Sequence, residues 1–244
     1  MKIFLTDGTP SAFFTAVFDA FKENDCIITS KTDIQLSFGS EVISCVYDEE
    51  KCERVRAGIA KYEKNAEEYI ITALRSCNPL REQISFAYIK KLMSVRAPIY
   101  KCMSLQEVID LNELIYKVNG ETHRLKGLLR FIETNDGVLY APYSPDNNIT
   151  DLLTAHFADR FASERFVIHD IKRNIAGIYN GRNWTTCYAS EAEIRLSENE
   201  KNFENLWKKY YKAVNINERP HEKQMKGSMP VRYWKFLPEK RDNN

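Results

Sequence analysis

Cations and aromatic rings alternate closely in the last fifth of the chain. Residues 201–244 contain 11 Lys and Arg against 5 Asp and Glu, a formal charge of +6, whereas the whole chain carries only +1. A basic, aromatic surface on a nearly neutral protein is typical of a polyanion site, because cations contact phosphates and rings stack on bases. The same composition also fits an amphipathic helix packed on the core.

Two runs make up this ending. The rings of residues 203–214 follow helical spacing, which favours core packing, with Lys208 and Lys212 on the opposite side of the helix. Residues 229–238 contain too many large rings for a solvated tail, so we expect them to dock on this protein or on a partner. Pro230 suits the first turn of a short helix there.

A second group of cations lies in residues 121–131. If this segment is extended, Arg124, Lys126 and Arg130 share one face of a strand, which predicts an anion site. The alternative is a solvated strand face with one structural histidine, His123.

His156 and Arg160 are spaced i, i+4 on a predicted helix, with Asp159 beside them. An imidazole at the margin of the core is a candidate general acid or base near neutral pH. The alternative is a histidine that is hydrogen-bonded within the core. The candidate catalytic residues are therefore His123, Arg130, His156 and Asp159.

Several classes of site are unsupported by the sequence. It contains no glycine-rich phosphate loop and no zinc-protease or serine-hydrolase motif, and it has nine glycines in all. None of its six cysteines forms a CxxC pair or lies at zinc-ligand spacing from a histidine. We therefore predict no metal site, no bound cofactor and reduced, mostly buried thiols.

Hydrophobic periodicity and turn residues predict the elements that must position these side chains. In the first half they are a strand over 2–6, a helix from Ser11, short strands within 26–46, helices over 51–95 and a helix opening at Ser104. Beyond Gly120 they are a hairpin around Asn135-Asp136-Gly137, a helix from Asn148, strands over 165–170, 174–180 and 184–188, a helix over 198–214 and a short helix near Pro230.

This order predicts an α+β protein with a helical N-terminal half, an antiparallel β-meander with one inserted helix, and C-terminal helices. No linker is evident, so we expect a single domain over residues 1–244. Hydrophobic content of 43% and charged content of 28% are typical of soluble globular proteins. No apolar run is long enough to span a membrane and no signal peptide is evident, which favours the cytoplasm.

Five separated segments carry a further signal, namely Asp7-Gly8 with residues 14–18, and residues 121–131, 156–161, 206–211 and 229–238. In these motifs the chain resembles a bacterial family of DNA metabolism or repair proteins. The resemblance implies a DNA-related role. Members of that family occur alone, typically encoded beside a radical SAM protein of DNA repair or modification, and the same domain also occurs fused to uracil-DNA glycosylase-like domains. The resemblance implies no catalytic residues.

Three functions follow as hypotheses. The first is a nucleic-acid-associated accessory to a radical SAM partner, binding single-stranded or damaged DNA, with Trp184 as a further ring for stacking. Its candidate contacts are Arg124, Lys126, Arg130, Arg173, Lys208, Lys212, Arg232, Tyr233, Trp234 and Lys235. The second is a hydrolase or glycosylase acting on damaged bases or nucleotides, which requires His156 to lie beside Arg130 in a polar pocket. The third is a protein-interaction module without nucleic-acid contact.

Overall fold

The computed structural model describes residues 1–32, 39–189, 204–207, 209 and 222–241. The chain divides into two compact units, Met1–Asn119 and Gly120–Asn244. The single domain expected from the sequence stays a prediction.

The N-terminal unit begins with a three-stranded parallel sheet. Its strands are β1 (Lys2–Leu5), β2 (Cys26–Thr29) and β3 (Glu41–Ser44), in the order β2-β1-β3. Helix α1 (Pro10–Ala20) follows β1 through the predicted turn at Gly8, whose φ is +85°. Thr9 caps α1, since its side chain accepts a hydrogen bond from the Ala12 backbone N–H.

Three helices complete this unit before the long α5. They are α2 (Glu49–Ala60), α3 (Ala66–Leu74) and α4 (Arg81–Val95). Asp48 caps α2, and Ile59 of α2 and Ile89 of α4 belong to the same buried core cluster as Phe13 of α1. The N-terminal half is therefore mainly helical, as the sequence predicted. The structure adds that its short strands form a small parallel sheet.

Helix α5 (Gln106–Leu128) contains the boundary between the units and corrects one prediction. The residue pattern beyond Gly120 predicted strands, but the helix continues for two further turns. Its buried positions recur at helical spacing, at Val118, Glu121, Thr122, Leu125 and then Leu129 just past its end. Burial of this stripe outweighs the helix-interior cost of a glycine, about 1 kcal/mol relative to alanine.

The C-terminal unit is organised around a five-stranded sheet. Its strands are β4 (Ile132–Glu133), β5 (Leu139–Tyr143), β6 (Phe166–Asp170), β7 (Ile175–Tyr179) and β8 (Trp184–Tyr188), in that spatial order. The predicted hairpin turns are confirmed, with Gly137 at φ +68° between β4 and β5 and Gly181 at φ +89° between β7 and β8.

One strand pair differs from the predicted antiparallel meander. Strands β5 and β6 are parallel, because helix α6 (Thr150–Arg160) carries the chain back between them. The inserted helix is thus a β-α-β crossover. Helix α6 begins at Thr150 with Ile149 in the cap position, one residue later than the predicted cap Asn148.

The chain ends with three short helical elements. They are α7 (Glu222–Ser228), a 3₁₀-helix (Val231–Phe236) and α8 (Pro238–Arg241). Residues 204–207 are also helical, and the rest of the helix predicted over 198–214, with Lys208 and Lys212, lies outside the described residues apart from 209. No helix in the described part of the chain is long and apolar enough to cross a membrane.

Candidate nucleic-acid interface

A buried carboxylate, Glu121, anchors the C-terminal segment. Its side chain is only 1% exposed and accepts hydrogen bonds from the Tyr233 hydroxyl, from the backbone N–H of Asp146 at 2.9 Å and of Asn147 at 2.8 Å, and from the Asn147 amide at 2.6 Å. Burial alone raises the pKa of this carboxyl, but the four hydrogen bonds outweigh burial and hold its pKa below the ordinary value. Glu121 is therefore an ionised structural acceptor.

Arg232 and Tyr233 approach this carboxylate from the 3₁₀-helix. The Arg232 guanidinium lies 3.0 Å from the Asp146 carboxylate and 3.5 Å from the Glu121 carboxylate, and it covers the Tyr233 ring at 4.7 Å. Tyr233 is 1% exposed. Burial and the neighbouring Glu121 raise the pKa of its hydroxyl, which stays protonated and donates. A ring this deeply buried has no face available for stacking on a base.

Arg173 holds the other side of the same 145–147 loop. Its guanidinium donates to the backbone carbonyls of Pro145 and Asp146 and forms a 2.8 Å ion pair with Asp170, a fully buried carboxylate. The loop that donates its N–H groups to Glu121 thus has its carbonyls bound by Arg173. We conclude that Arg173 is a structural cation.

Arg130 closes the end of α5. It donates to the carbonyls of Gly127 and Leu129, where a cation also interacts favourably with the helix dipole. It also pairs with buried Glu239 at 2.7 Å and lies 5.0 Å from the Trp207 ring. Burial raises the pKa of Glu239, but its bonds with Arg130 lead the effects that bring that pKa below its ordinary value. Arg130 therefore holds the C-terminal segment against the end of α5. The enzymatic hypothesis requires Arg130 to line a polar pocket with His156, and its bonds to Glu239 and to the helix carbonyls argue against that role.

Lys126, His156 and Arg160 form a different kind of cluster, which we call the α5–α6 patch. Burial lowers the pKa of His156 below its ordinary value, and the positive charges of Lys126 and Arg160 lower it further, whereas Asp159 opposes them. Among the described residues, neither Lys126 nor Arg160 has a carboxylate within ion-pair distance. The patch is a local site of positive potential carried by two helices.

A close approach between α6 and the sheet places two members of this patch. A Cβ added to Gly177 on β7 would lie only 1.8 Å from the Thr154 hydroxyl oxygen, so a side chain at this position would push α6 outward. The Phe157 ring packs beside His156. It also contacts the ring of Phe131, which directly follows Arg130 in the chain, at a centroid distance of 5.0 Å. Glycine on β7 and the aromatic cluster thus fix how α6 presents His156 and Arg160.

The remaining predicted residues are spread around the C-terminal unit. Because α5 is helical, Arg124, Lys126 and Arg130 do not share a strand face. Exposed His123 lies one turn from Lys126 on the same side of α5, and Arg124 lies back over Gly120. Asp159 and Lys235 are exposed, and the Trp234 indole donates to the Met229 carbonyl at 3.0 Å. The structure therefore brings together Lys126 and His156, and joins Arg232 to Tyr233.

Some residues of this unit were not identified from the sequence. The i, i+4 spacing predicted that Arg160 lies beside His156, but it did not identify Arg160 as a contact for an anion. That role depends on Lys126 from the neighbouring helix α5, which the spacing within α6 does not report. Glu121 and Glu239 gave no signal, because Tyr233 and Arg130, which bind their carboxylates, lie 112 and 109 positions away in the chain. On β6, His169 is a buried imidazole that bonds the Tyr140 hydroxyl at 2.8 Å, and burial lowers its pKa.

All of these contacts lie within residues 79–239, and that range matches a family model described as a domain of unknown function, DUF4130. The chain belongs to the DUF4130 family. A search of curated proteins and a search of solved structures each found no match. Within the ranges that the structure describes, no three His, Cys, Asp or Glu side chains of this DUF4130 chain come together as metal ligands.

Proposed function

We propose that this chain binds nucleic acid through the α5–α6 patch, as an accessory in DNA repair or metabolism. The observation that carries the proposal is that the charges of Lys126 and Arg160 both act on His156, and neither cation forms an ion pair within the described part of the chain, while exposed Asp159 on α6 opposes them in part. Lysine and arginine on rigid helices are the residues that contact phosphates in nucleic-acid sites.

The chemistry of the patch favours contacts to the phosphate backbone over recognition of base sequence. His156 gains a proton more readily when a phosphate lies beside it, and this adds a third positive charge to the contact. Salt-dependent binding with little sequence preference follows from such a site.

The arginines elsewhere in the unit are poorer candidates for phosphate contact. Arg130, Arg173 and Arg232 each pair with at least one carboxylate, and Glu121, Asp170 and Glu239 are buried. Turning any of these cations toward DNA would leave a buried carboxylate short of its partner, which is costly. For the same reason, a variant of Arg232 would lose stability, so a loss of DNA binding in that variant could not be assigned to a lost phosphate contact.

The proposal includes a radical SAM enzyme of DNA repair or modification as the partner that receives the bound DNA. This part rests on the family resemblance of residues 121–131, 156–161 and 229–238. Co-purification of the chain with that enzyme, with and without DNA, tests it. Capture that depends on the intact α5–α6 patch and on DNA supports an accessory that presents DNA, whereas DNA-independent capture supports a protein-interaction module.

The direct test is fluorescence anisotropy with a labelled single-stranded oligonucleotide over a series of salt concentrations. We expect Lys126→Ala with Arg160→Ala to weaken binding about tenfold at roughly 0.1 M salt. The slope of log K against log salt should flatten by about 1.4, since each phosphate contact to a single strand contributes about 0.7.

A matched control removes two cations at other places. Lys64 and Lys117 are exposed, and Lys117 pairs only with exposed Glu113. Lys64→Ala with Lys117→Ala should therefore retain nearly all of the affinity and the salt slope. Equal loss in both double variants, or a wild-type affinity that is undetectable or insensitive to salt, would contradict the proposal.

A further inference from the structure

A cavity of about 470 Å³ lies in the N-terminal unit between α1, α2 and α4. It belongs to a different part of the chain from the α5–α6 patch. Its volume falls within the range of roughly 300–1,000 Å³ that is usual for small-molecule sites.

The floor of the cavity is apolar and is built from all three helices. Val17 from α1, Ile59 from α2 and Ile89 from α4 are each at most 1% exposed. Gly58 leaves the α2 wall room for a methyl group, because an added Cβ there would lie in ordinary contact with the flexible end of Met93, at 3.5 Å. A mid-helix glycine and a methionine opposite it make a wall that adapts to an apolar ligand.

The rim of the cavity carries an excess of positive charge. Asp19 is the one carboxylate among the described lining residues, and the Lys51 ammonium holds it at 2.7 and 3.0 Å, so this acidic charge is already matched. Lys22 and Arg54 also line the cavity, and the Arg54 guanidinium lies 5.0 Å from the Phe18 ring. Arg54 has only a long 3.9 Å contact with Glu50, whose side chain is 84% exposed.

We propose that this cavity binds a small molecule with an apolar, ring-sized body and one anionic group. The body lies against the partly exposed apolar lining of Phe18, Val55 and Met93, above the buried floor, and the anion lies at the rim between Lys22 and Arg54. Charge complementarity favours this ligand class over a neutral apolar one, since Asp19 is already paired with Lys51, Lys22 has no ion-pair partner among the described residues, and Arg54 has there only its long contact with exposed Glu50.

Two naphthalene dyes of similar size test the two halves of the proposal. The sulfonated dye 1-anilinonaphthalene-8-sulfonate has an apolar body and an anion, and N-phenyl-1-naphthylamine has the same rings without the charge. Gly58→Phe places a ring in the cavity and should weaken both dyes at least tenfold. Gly58→Ala adds only a methyl group in ordinary contact distance and should leave both affinities within twofold.

The rim is tested separately with Lys22→Gln and Arg54→Gln combined. This variant should weaken the sulfonated dye about fivefold and leave the neutral dye unchanged, because only the former meets the two cations. Thermal unfolding of each variant confirms that it is folded, so that dye binding to a loosened core is not counted. Equal affinity in Gly58→Phe and the wild type overturns the cavity assignment, and equal loss of both dyes in the rim variant overturns the anionic preference. Failure to detect either dye in the wild-type chain also overturns the proposal.

Discussion

Two sets of cations in the C-terminal unit have opposite surroundings. Arg130, Arg173 and Arg232 are bound to carboxylates that hold loops and the chain end in place, whereas Lys126 and Arg160 have no such acid among the described residues. The residue types are the same, so the difference comes from where the acids are buried. A positive charge is available to a polyanion only where the fold has not already matched it.

The largest effect should come from removing the buried acid at the centre of the anchored set. Glu121→Ala deletes the acceptor of four hydrogen bonds and leaves the Tyr233 hydroxyl and two backbone N–H groups without it. We expect the free energy of unfolding to fall by about 3–5 kcal/mol, measured by urea denaturation. The isosteric Glu121→Gln should lose less, because it keeps one acceptor oxygen.

If the anchored set is structural and the α5–α6 patch binds nucleic acid, the Glu121 variants should keep their affinity for nucleic acid as long as they remain folded. At low temperature, folded Glu121→Gln should bind the oligonucleotide with wild-type affinity. The Lys126→Ala with Arg160→Ala variant should show the reverse, with weaker binding and near wild-type stability. A folded Glu121→Gln protein with lost affinity would place the binding surface in the anchored set instead.

Tyr233→Phe separates anchoring from base stacking at one residue. The hydroxyl donates to the buried Glu121 carboxylate, and hydrogen bonds to charged groups contribute about 1.5–3 kcal/mol. We expect a loss of stability of that size and unchanged binding of single-stranded DNA. If the ring stacked on a base, the phenyl group would still stack, so the additional variant Tyr233→Leu should weaken binding only under that alternative.

Acid should weaken the anchored set only at a lower pH than the one at which it protonates the imidazole of the patch. The pKa of Glu121 is lowered in the folded chain from an ordinary value of 4.5. Its contribution to stability is therefore complete above pH 4.5 and is lost as pH falls through the lower folded-state pKa. The urea-unfolding free energy of Glu121→Gln should fall less steeply than that of the wild type below about pH 4.5. If the free energies of unfolding of the two proteins fell equally with pH in this range, the carboxylate of Glu121 would not stabilise the fold in the way that its hydrogen bonds imply.

The smallest effect concerns His156 and the pH dependence of binding. Its pKa is lowered in the free chain from an ordinary value of 6.5, by burial and by Lys126 and Arg160. A bound phosphate raises that pKa, so the complex takes up a proton and affinity should rise as pH falls through 6.5. We expect binding about threefold tighter at pH 5.5 than at pH 7.5, and His156→Gln should abolish the difference. NMR titration of the imidazole with and without the oligonucleotide measures the pKa change directly.

Local signals in the sequence predicted local structure well. Asn135-Asp136-Gly137 and Asn180-Gly181 each specify a hairpin turn through a residue with positive φ, and both hairpins form. The helix carrying His156 was predicted within two residues of its observed start. In each of these cases the residues that decide the structure are neighbours in the chain.

Predictions that depended on distant partners were less successful. Gly120 resembles a helix end, but the buried stripe through Leu125 and Leu129 continues the helix beyond it. The prediction that Arg124, Lys126 and Arg130 share one face of a strand was wrong for this reason. Strand–helix–strand order also permits a parallel crossover, and the pairing of β5 with β6 depends on tertiary packing that periodicity does not report.

The hydrogen bond from Tyr233 to Glu121 and the ion pair between Arg130 and Glu239 each join residues about 110 positions apart. During synthesis, α5 is therefore made long before the residues that satisfy its buried carboxylate and bind the arginine at its end. A growing chain that stops short of residue 233 would carry an ionised Glu121 without this partner, so we expect the C-terminal unit to complete its folding only after its last helices have been made. Contacts of this sequence separation slow folding, because a long loop must close before they form. Nascent copies of this unit would accordingly depend more on chaperones than the N-terminal unit, whose sheet joins residues within the first 44 positions.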